Sequence, residues 1–410
     1  MLARSFWWLA GLLLALPAAA ADTHADLTLR ADDRRASAQG PLAEAQARLP
    51  GLAPAEPSSG GLQLEARHVQ RLGGGLALQG NALLVHQRSE GGGDRDLSRV
   101  NELHLAWDLG AWQLAAGKKV LGWDVGYAFR PNDVVQQENR RTQFEQTPEG
   151  RPLLQIEHFD ADTAWALVLA QPQNWNDRGA FGVQEAALAA RVYRRIGALD
   201  LHGFARQGRH SGASLGAAAA WVAGDELELH ASARVFRHHD GWAFSGNALQ
   251  PAAALPWQMQ TLGGGSAWLV GAQWTGGPRL SVLAEAWHDG RALADRDWDD
   301  WARRNAALRT ISGPAAAGNL AWQATPFDAP SLRRDNLFLR LAWQPEDWTL
   351  SLDALLTPAD RGRVLTAALQ WKGDRWRVDA SLRAYGGPAA SLYAQLPLRR
   401  TALLALTRSF

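Results

Sequence analysis

The residues best able to do chemistry in this chain are few and scattered. His238, His239 and Asp240 stand in a row and offer metal-ligating or acid–base groups. In an extended segment, adjacent side chains point to opposite faces, so the two imidazoles cannot reach one centre without a turn. Asp295, Asp297 and Asp299 have the alternate spacing of a calcium loop, yet Asp300 stands where the sharp-turn glycine belongs and Arg296, Arg303 and Arg304 crowd the set. A solvated loop is the better reading. A hydrolytic centre needs a nucleophile, a histidine and an orienting group at one place. Ser281, Ser351 and Ser381 have no such partner that spacing can supply, and neither do His86, His104, His202 or His230. The glycine triplets at 91–93 and 263–265 precede no helical pattern, so they read as turns and not as phosphate cradles. With no cysteine, thiolate zinc sites, iron–sulfur clusters and cysteine nucleophiles are excluded, while an oxidising compartment is permitted. No catalytic residue, metal site or cofactor is expected.

The elements that carry these residues explain why chemistry is sparse. The 410 residues are 47% hydrophobic, too apolar for a disordered chain, and 42 Lys+Arg against 41 Asp+Glu give no electrostatic reason to expect nucleic acid. Twenty tryptophans are many for a soluble enzyme, and a number of them sit near the ends of short alternating segments, where membrane-interface girdles put them. Residues 1–21 read as a secretory signal peptide: Arg4, an apolar run from Phe6 to Leu16, Pro17, then alanines with Ala19 and Ala21 in an A-x-A pattern. That run is short of the roughly 20 residues a helical span needs, and no later run is longer. A membrane form of residues 22–410 must therefore be a closed β-barrel, which alone besides helices satisfies every backbone group in lipid.

From Gly61 to Phe410 apolar and polar residues alternate, broken by short turns. Period two means strands with one apolar face. Leu337, Leu339, Leu341 and Trp343 alternate with polar neighbours such as Arg340, and Trp348, Leu350, Leu352, Ala354 and Leu356 with Thr349, Ser351 and Asp353. Short turns at 72–75, 109–111, 159–162, 196–198, 223–225, 275–278, 345–347 and 372–374 make eight hairpins. Sixteen strands, the last strand Thr401–Phe410 and a first strand at Asp26–Arg30 total eighteen, with sixteen as the alternative if the first is only a tail. The fold class is thus all-β, a transmembrane antiparallel barrel. Most remaining connections are longer, at 31–60, 89–98, 124–152, 171–182, 238–260, 289–334 and 386–398. Short turns on one side and long loops on the other is the asymmetry of outer-membrane barrels, whose long loops near 124–152, 238–260 and 289–334 face outward from the cell.

The last strand, Thr401-Ala-Leu-Leu-Ala-Leu-Thr-Arg-Ser-Phe410, resembles the C-terminal signal of Gram-negative outer-membrane barrels, with a terminal aromatic and apolar Ala402, Leu404 and Leu406 at alternate positions. Arg408 departs from that pattern, and either recognition by the insertion machinery is weaker or the arginine snorkels to the interface. Gly117-Lys-Lys-Val-Leu-Gly-Trp123 and Gly126-Tyr-Ala-Phe-Arg-Pro-Asn-Asp133 resemble a segment of porin-like barrels related to the alginate-export type. The resemblance implies a porin-like channel in the bacterial outer membrane. Nothing resembles a transporter with a globular plug ahead of its barrel.

A barrel this wide leaves a water-filled lumen unless something plugs it. The leading expectation is passive passage of a small hydrophilic solute or a polysaccharide. The 124–152 loop, rich in charge and stiffened by Pro131, Pro148 and Pro152, is the candidate inward fold. Arg130, Asp133, Arg140, Arg141, Arg340, Arg375, Arg377 and Arg383 are the candidate pore-lining or constriction residues, the last three forming a basic ladder on one strand face. Expected partners are outer-membrane lipids, lipopolysaccharide and the solute, with either a homo-oligomer or a periplasmic protein beside them. Two other classes stay open: a barrel enzyme acting on lipid or envelope substrates, and an occluded structural or partner-binding barrel.

Overall fold

The computed structural model of the chain describes residues 21–54, 56–136, 141–144, 146–171, 185–247, 250–277 and 279–410. Among the described residues twenty strands and three α-helices follow one another. They are β1 (Ala21–Ala36), α1 (Pro41–Arg48), β2 (Ser59–Gly73), β3 (Leu76–Ser89), β4 (Asp94–Asp108), β5 (Trp112–Lys119), β6 (Arg151–Phe159), β7 (Thr163–Ala170), β8 (Ala187–Ile196), β9 (Leu199–Gly208), β10 (Gly212–Val222) and β11 (Leu227–Phe236). Then come β12 (His239–Phe244), β13 (Trp257–Leu262), β14 (Gly265–Gly276), β15 (Leu280–Asp289), α2 (Asp295–Thr310), α3 (Pro314–Trp322), β16 (Asp335–Trp343), β17 (Trp348–Thr357), β18 (Gly362–Lys372), β19 (Trp376–Gly386) and β20 (Leu398–Ser409).

Eighteen of the strands form one antiparallel sheet, and β12 and β13 make a separate hairpin. The sheet closes because β1 pairs with β2 on one edge and with β20 on the other, from Asp26↔Ser409 to Ala36↔Leu398. Closure leaves no edge to solvate. The expected first strand is present but longer than Asp26–Arg30. Leu337, Leu339, Leu341, Leu350, Leu352 and Leu356 are all exposed on the outside, whereas Phe338 and Ser351 on the alternate positions are buried inside. That is the reverse of a soluble protein and suits a lipid surround.

Most exposed tryptophans ring one side, Trp268 at the long-loop end of β14 being an exception. Trp107, Trp112, Trp165, Trp221, Trp274, Trp343, Trp348 and Trp376 are exposed beside the short turns, which places the periplasmic interface there. Arg408 joins this rim, its guanidinium 5.4 Å from the Trp376 ring and 4.8 Å from Phe410. Not every tryptophan belongs to a girdle: Trp123, Trp257, Trp287, Trp298 and Trp301 are buried.

The long connections differ from the reading of the sequence in two ways. First, β3 and β4 extend so far that residues 90–93 alone join them, where a longer 89–98 loop was expected. Second, the 31–60 and 289–334 connections contain helices. Asp295, Asp297 and Asp299 lie on α2 and not on a cation-binding loop. Asp295 pairs with Arg333 at 3.0 Å, and Asp297 accepts the Ala294 N–H. Acid in the first turn favours the helix dipole, and Trp298, Trp301, Asn305 and Leu308 recur at helical spacing as its buried face. Pro41 and Pro314 start α1 and α3 where a missing N–H costs nothing. The Arg48 guanidinium donates to the C-terminal carbonyls of α2 at Leu308, Arg309 and Ile311, and Glu44 chelates Arg309 at 2.7 and 2.8 Å. The three helices thus form a small cap on the long-loop side.

Candidate functional site

The segment 120–150, between β5 and β6, turns into the barrel. Its first half is organised by two aspartates: Asp133 Oδ1 accepts the N–H groups of Trp123 and Asp124 at 2.9 and 3.1 Å, and Asp124 accepts those of Val125 and Asn132. Arg130 Nη1 lies 3.2 Å from Asp133 Oδ2. Burial pushes both carboxyls up, Asp133 to about 6, with Arg130 and the N–H donors opposing it.

Wall contacts then carry the segment across. Asn132 Nδ2 donates to Ser232 Oγ at 2.8 Å and Ser232 Oγ to Asp124 Oδ1 at 2.6 Å, attaching the turn to β11. This approach requires glycine at 216, since a Cβ there would collide with the Asn132 carboxamide. Glu285 on β15 accepts the N–H groups of Tyr127 and Ala128, each at 2.7 Å. His230 on β11 reaches the same carboxylate at 3.0 Å across Gly271 of β14, where a Cβ would strike both side chains. Arg340 on β16 donates to the Tyr127 hydroxyl at 2.7 Å and pairs with Asp353 at 3.3 Å. Phe129 stacks on Trp287 at 5.6 Å, inside an apolar cluster that includes Trp298 and Trp301 of the cap.

The returning half reaches the strands near the seam. Arg141 donates to the Pro330 carbonyl and lies over the Trp287 ring. Gln143 contacts Ser381 and Thr401, and Phe144 packs on Leu403 and Ala405 with Arg377 5.6 Å from its ring. Gln146 donates to Gln63, and Thr147 bonds Glu65. One segment therefore touches β2, β11, β15, β16, β19 and β20.

Of the residues singled out in the sequence, Arg130 and Asp133 form an ion pair within this segment, Arg141 belongs to its returning half, and Arg340 and Arg377 meet it from the wall. Arg383 remains on the β19 wall, hydrogen-bonded to Thr366 at 2.9 Å. Arg375 is exposed on the periplasmic turn before β19, so the three arginines do not make one ladder. Arg377 is also paired with Asp379 at 2.8 Å. Arg140 lies outside the described residues, as do Glu138 and Glu145. Sequence reasoning missed Asn132, Ser232, Tyr127 and the clamp role of Glu285. A buried carboxylate in an otherwise apolar stretch was the available signal, but its partners on the inward segment are more than a hundred residues away.

The other histidines are held at scattered places on the wall and loops. His239 Nδ1 meets the Gly263 carbonyl, His86 meets Asp96 and His288 meets Asp335. Among the described residues no serine hydroxyl is hydrogen-bonded to a histidine and no group of three or more His, Asp or Glu side chains could hold a metal.

Comparison with solved structures settles the fold. OccAB1 of Acinetobacter baumannii superposes with a TM-score of 0.56 at 10% identity, over 95% of this chain and 96% of that one. The outer membrane protein opdK of Pseudomonas aeruginosa gives 0.50 at 10% identity, over 95% and 99%. The fold is that of the outer-membrane porins. A closed barrel with this apolar exterior resides in the bacterial outer membrane. No protein-family model matches the chain, and no curated protein does.

Proposed function

We propose that the porin-like barrel is a passive channel whose aperture is set by the 120–150 segment. The observation carrying this reading is the bonding of that segment to opposite walls, at Glu285 and Ser232 on one side and Gln63, Ser381 and Thr401 on the other. In this reading Arg130, Asp133, Arg141, Arg340, Arg377 and Arg383 line or shape the aperture, while Arg375 acts only at the periplasmic mouth. Selectivity would follow from these fixed charges. A small hydrophilic solute suits a lumen crossed by such a segment better than a polysaccharide does. Residues 1–21 would be the removed signal, and lipopolysaccharide would meet the outer rim.

The test is single-channel conductance of the refolded chain in planar bilayers. Stepwise currents that rise when residues 137–147 are replaced by a short glycine linker support the channel. A folded, heat-modifiable barrel that never conducts overturns it and moves weight to an occluded barrel, a reading favoured by the helical cap and the apolar cluster joining it to Phe129.

A further inference from the structure

Near its long-loop end, the outward face of the closure seam carries charge where the wall below it is apolar. Arg35 of β1 and Arg400 of β20 stand directly opposite each other, on the same face as the exposed Leu29 and Leu406 further down those strands. Arg400 is also opposite Ala384 of β19, and Arg363 of β18 stands opposite Gly386, one step further out. All three arginines are exposed. Arg35 is offset by Asp33 at 3.1 Å. Arg363 and Arg400 have no such offset: among the described residues neither guanidinium lies within 4.0 Å of a carboxylate. A Cβ placed at Gly386 would meet nothing within 4 Å, so the surface between Arg363 and β20 is open.

The height of this cluster suits a lipid headgroup. Arg408 lies opposite Trp376 of the periplasmic girdle. Arg400 is on the same strand roughly 20 Å nearer the outer surface, at about 3.4 Å per residue and a tilt of about 45°. That is close to the far edge of an apolar band about 25 Å tall. Leu365, Leu382 and Leu404 are exposed beside and below the arginines. Like charges directly opposite on neighbouring strands repel, and the wall gives Arg400 no anion to offset Arg35. A phosphate between the guanidinium groups accepts paired, charge-assisted hydrogen bonds and removes that repulsion. We propose that the face of Arg35, Arg363 and Arg400 binds the phosphate of an outer-leaflet glycolipid, with its acyl chains on Leu365, Leu382 and Leu404. The bound headgroup then clamps the seam between the first and last strands. A lipid fits better than a soluble anion because the charge stands outside the lumen, on top of an apolar wall. The inference goes beyond the channel reading and does not depend on conduction.

The test is native mass spectrometry of the detergent-refolded full chain titrated with bis-phosphorylated lipid A and, separately, with its dephosphorylated form. Saturable retention of the phosphorylated lipid is expected, weakened about tenfold when Arg363→Gln and Arg400→Gln are combined. Arg303→Gln, on the exposed face of α2, should leave it unchanged. The same lipid should raise the temperature at which wild type loses heat-modifiable migration, and should not do so for the double variant. Without lipid the double variant should resist heat at least as well as wild type, because the repulsion across the seam is gone. If it does not fold, Arg400→Gln alone replaces it and should weaken retention several-fold. Equal retention of the dephosphorylated lipid would assign the face to acyl chains alone and overturn the proposal. So would undiminished retention by the folded arginine variant, no retention by wild type, or displacement of the lipid by an equal concentration of inorganic phosphate, which would mark a site for a free anion.

Discussion

Glu285 accepts two backbone N–H groups of the inward segment and one histidine ring, so Glu285→Ala leaves two donors without a partner in a water-poor place. Hydrogen bonds to a charged acceptor are each worth roughly 1.5–3 kcal/mol. The barrel wall does not depend on them, because β15 keeps its ladders with β14 and β16. Glu285→Ala should therefore retain heat-modifiable migration while its single-channel current becomes noisier and larger; an unchanged trace would show that the segment is held elsewhere. Asp133 adds a pH dependence. Its folded value of about 6 lies above the ordinary carboxyl value of 3.8, so the stabilisation it gives the segment is complete below about 4 and is lost as pH rises through 6. The full effect is on the order of 3 kcal/mol. Hydrogen exchange at Trp123 and Asp124, corrected for intrinsic rates, should be more protected at pH 4 than at pH 7, and Asp133→Asn should abolish the difference.

At the scale of elements, strands were legible and helices were not, for a physical reason. A barrel strand separates lipid from lumen at every step, so Leu337 to Trp343 displays its period without reference to any partner. Even β1, added only to make the strand number even, lies where it was placed and closes the seam. The face of α2 contains Arg304 and Asn305 among its buried residues, and its exposed face is dense with Asp and Arg, so its period of 3.6 is hidden under charge. The path of the inward segment was illegible because Asn132 and Ser232, or Phe144 and Leu403, meet only after the barrel has closed. The helices are nevertheless real packing units. Trp301 is 2% exposed and donates its Nε1–H to the Gln323 carbonyl at 2.8 Å, linking α2 to the turn after α3. Trp301→Ala should cost about 3–5 kcal/mol locally. Limited proteolysis would then cut within 290–334 while the eighteen-stranded barrel stays resistant; equal resistance of the cap would contradict this packing.

Across the whole molecule, charge is balanced locally as well as in sum. The chain carries a formal net charge of +1, and several lumen cations sit beside anions: Arg340 with Asp353, Arg377 with Asp379, Arg67 with Glu65, Arg130 with Asp133. Paired charges at a few ångströms cancel for a passing ion within about a Debye length, which is ~10 Å at 0.1 M salt. At pH 7 a potassium chloride gradient should give a reversal potential near zero. Acidification breaks the balance in one direction only, because carboxylates lose charge and guanidinium groups do not. Asp133, pushed up to about 6 by burial, and Asp124, raised by the same cause, protonate before ordinary carboxyls, so the inward segment loses negative charge beside Arg130. Selectivity should therefore shift toward chloride as pH falls from 7 to 5, well before the exposed carboxylates titrate. Asp133→Asn should show at pH 7 much of the shift that wild type reaches at pH 5. A reversal potential that moves only below pH 4 would place the ion path away from Asp133 and assign the inward segment a structural role.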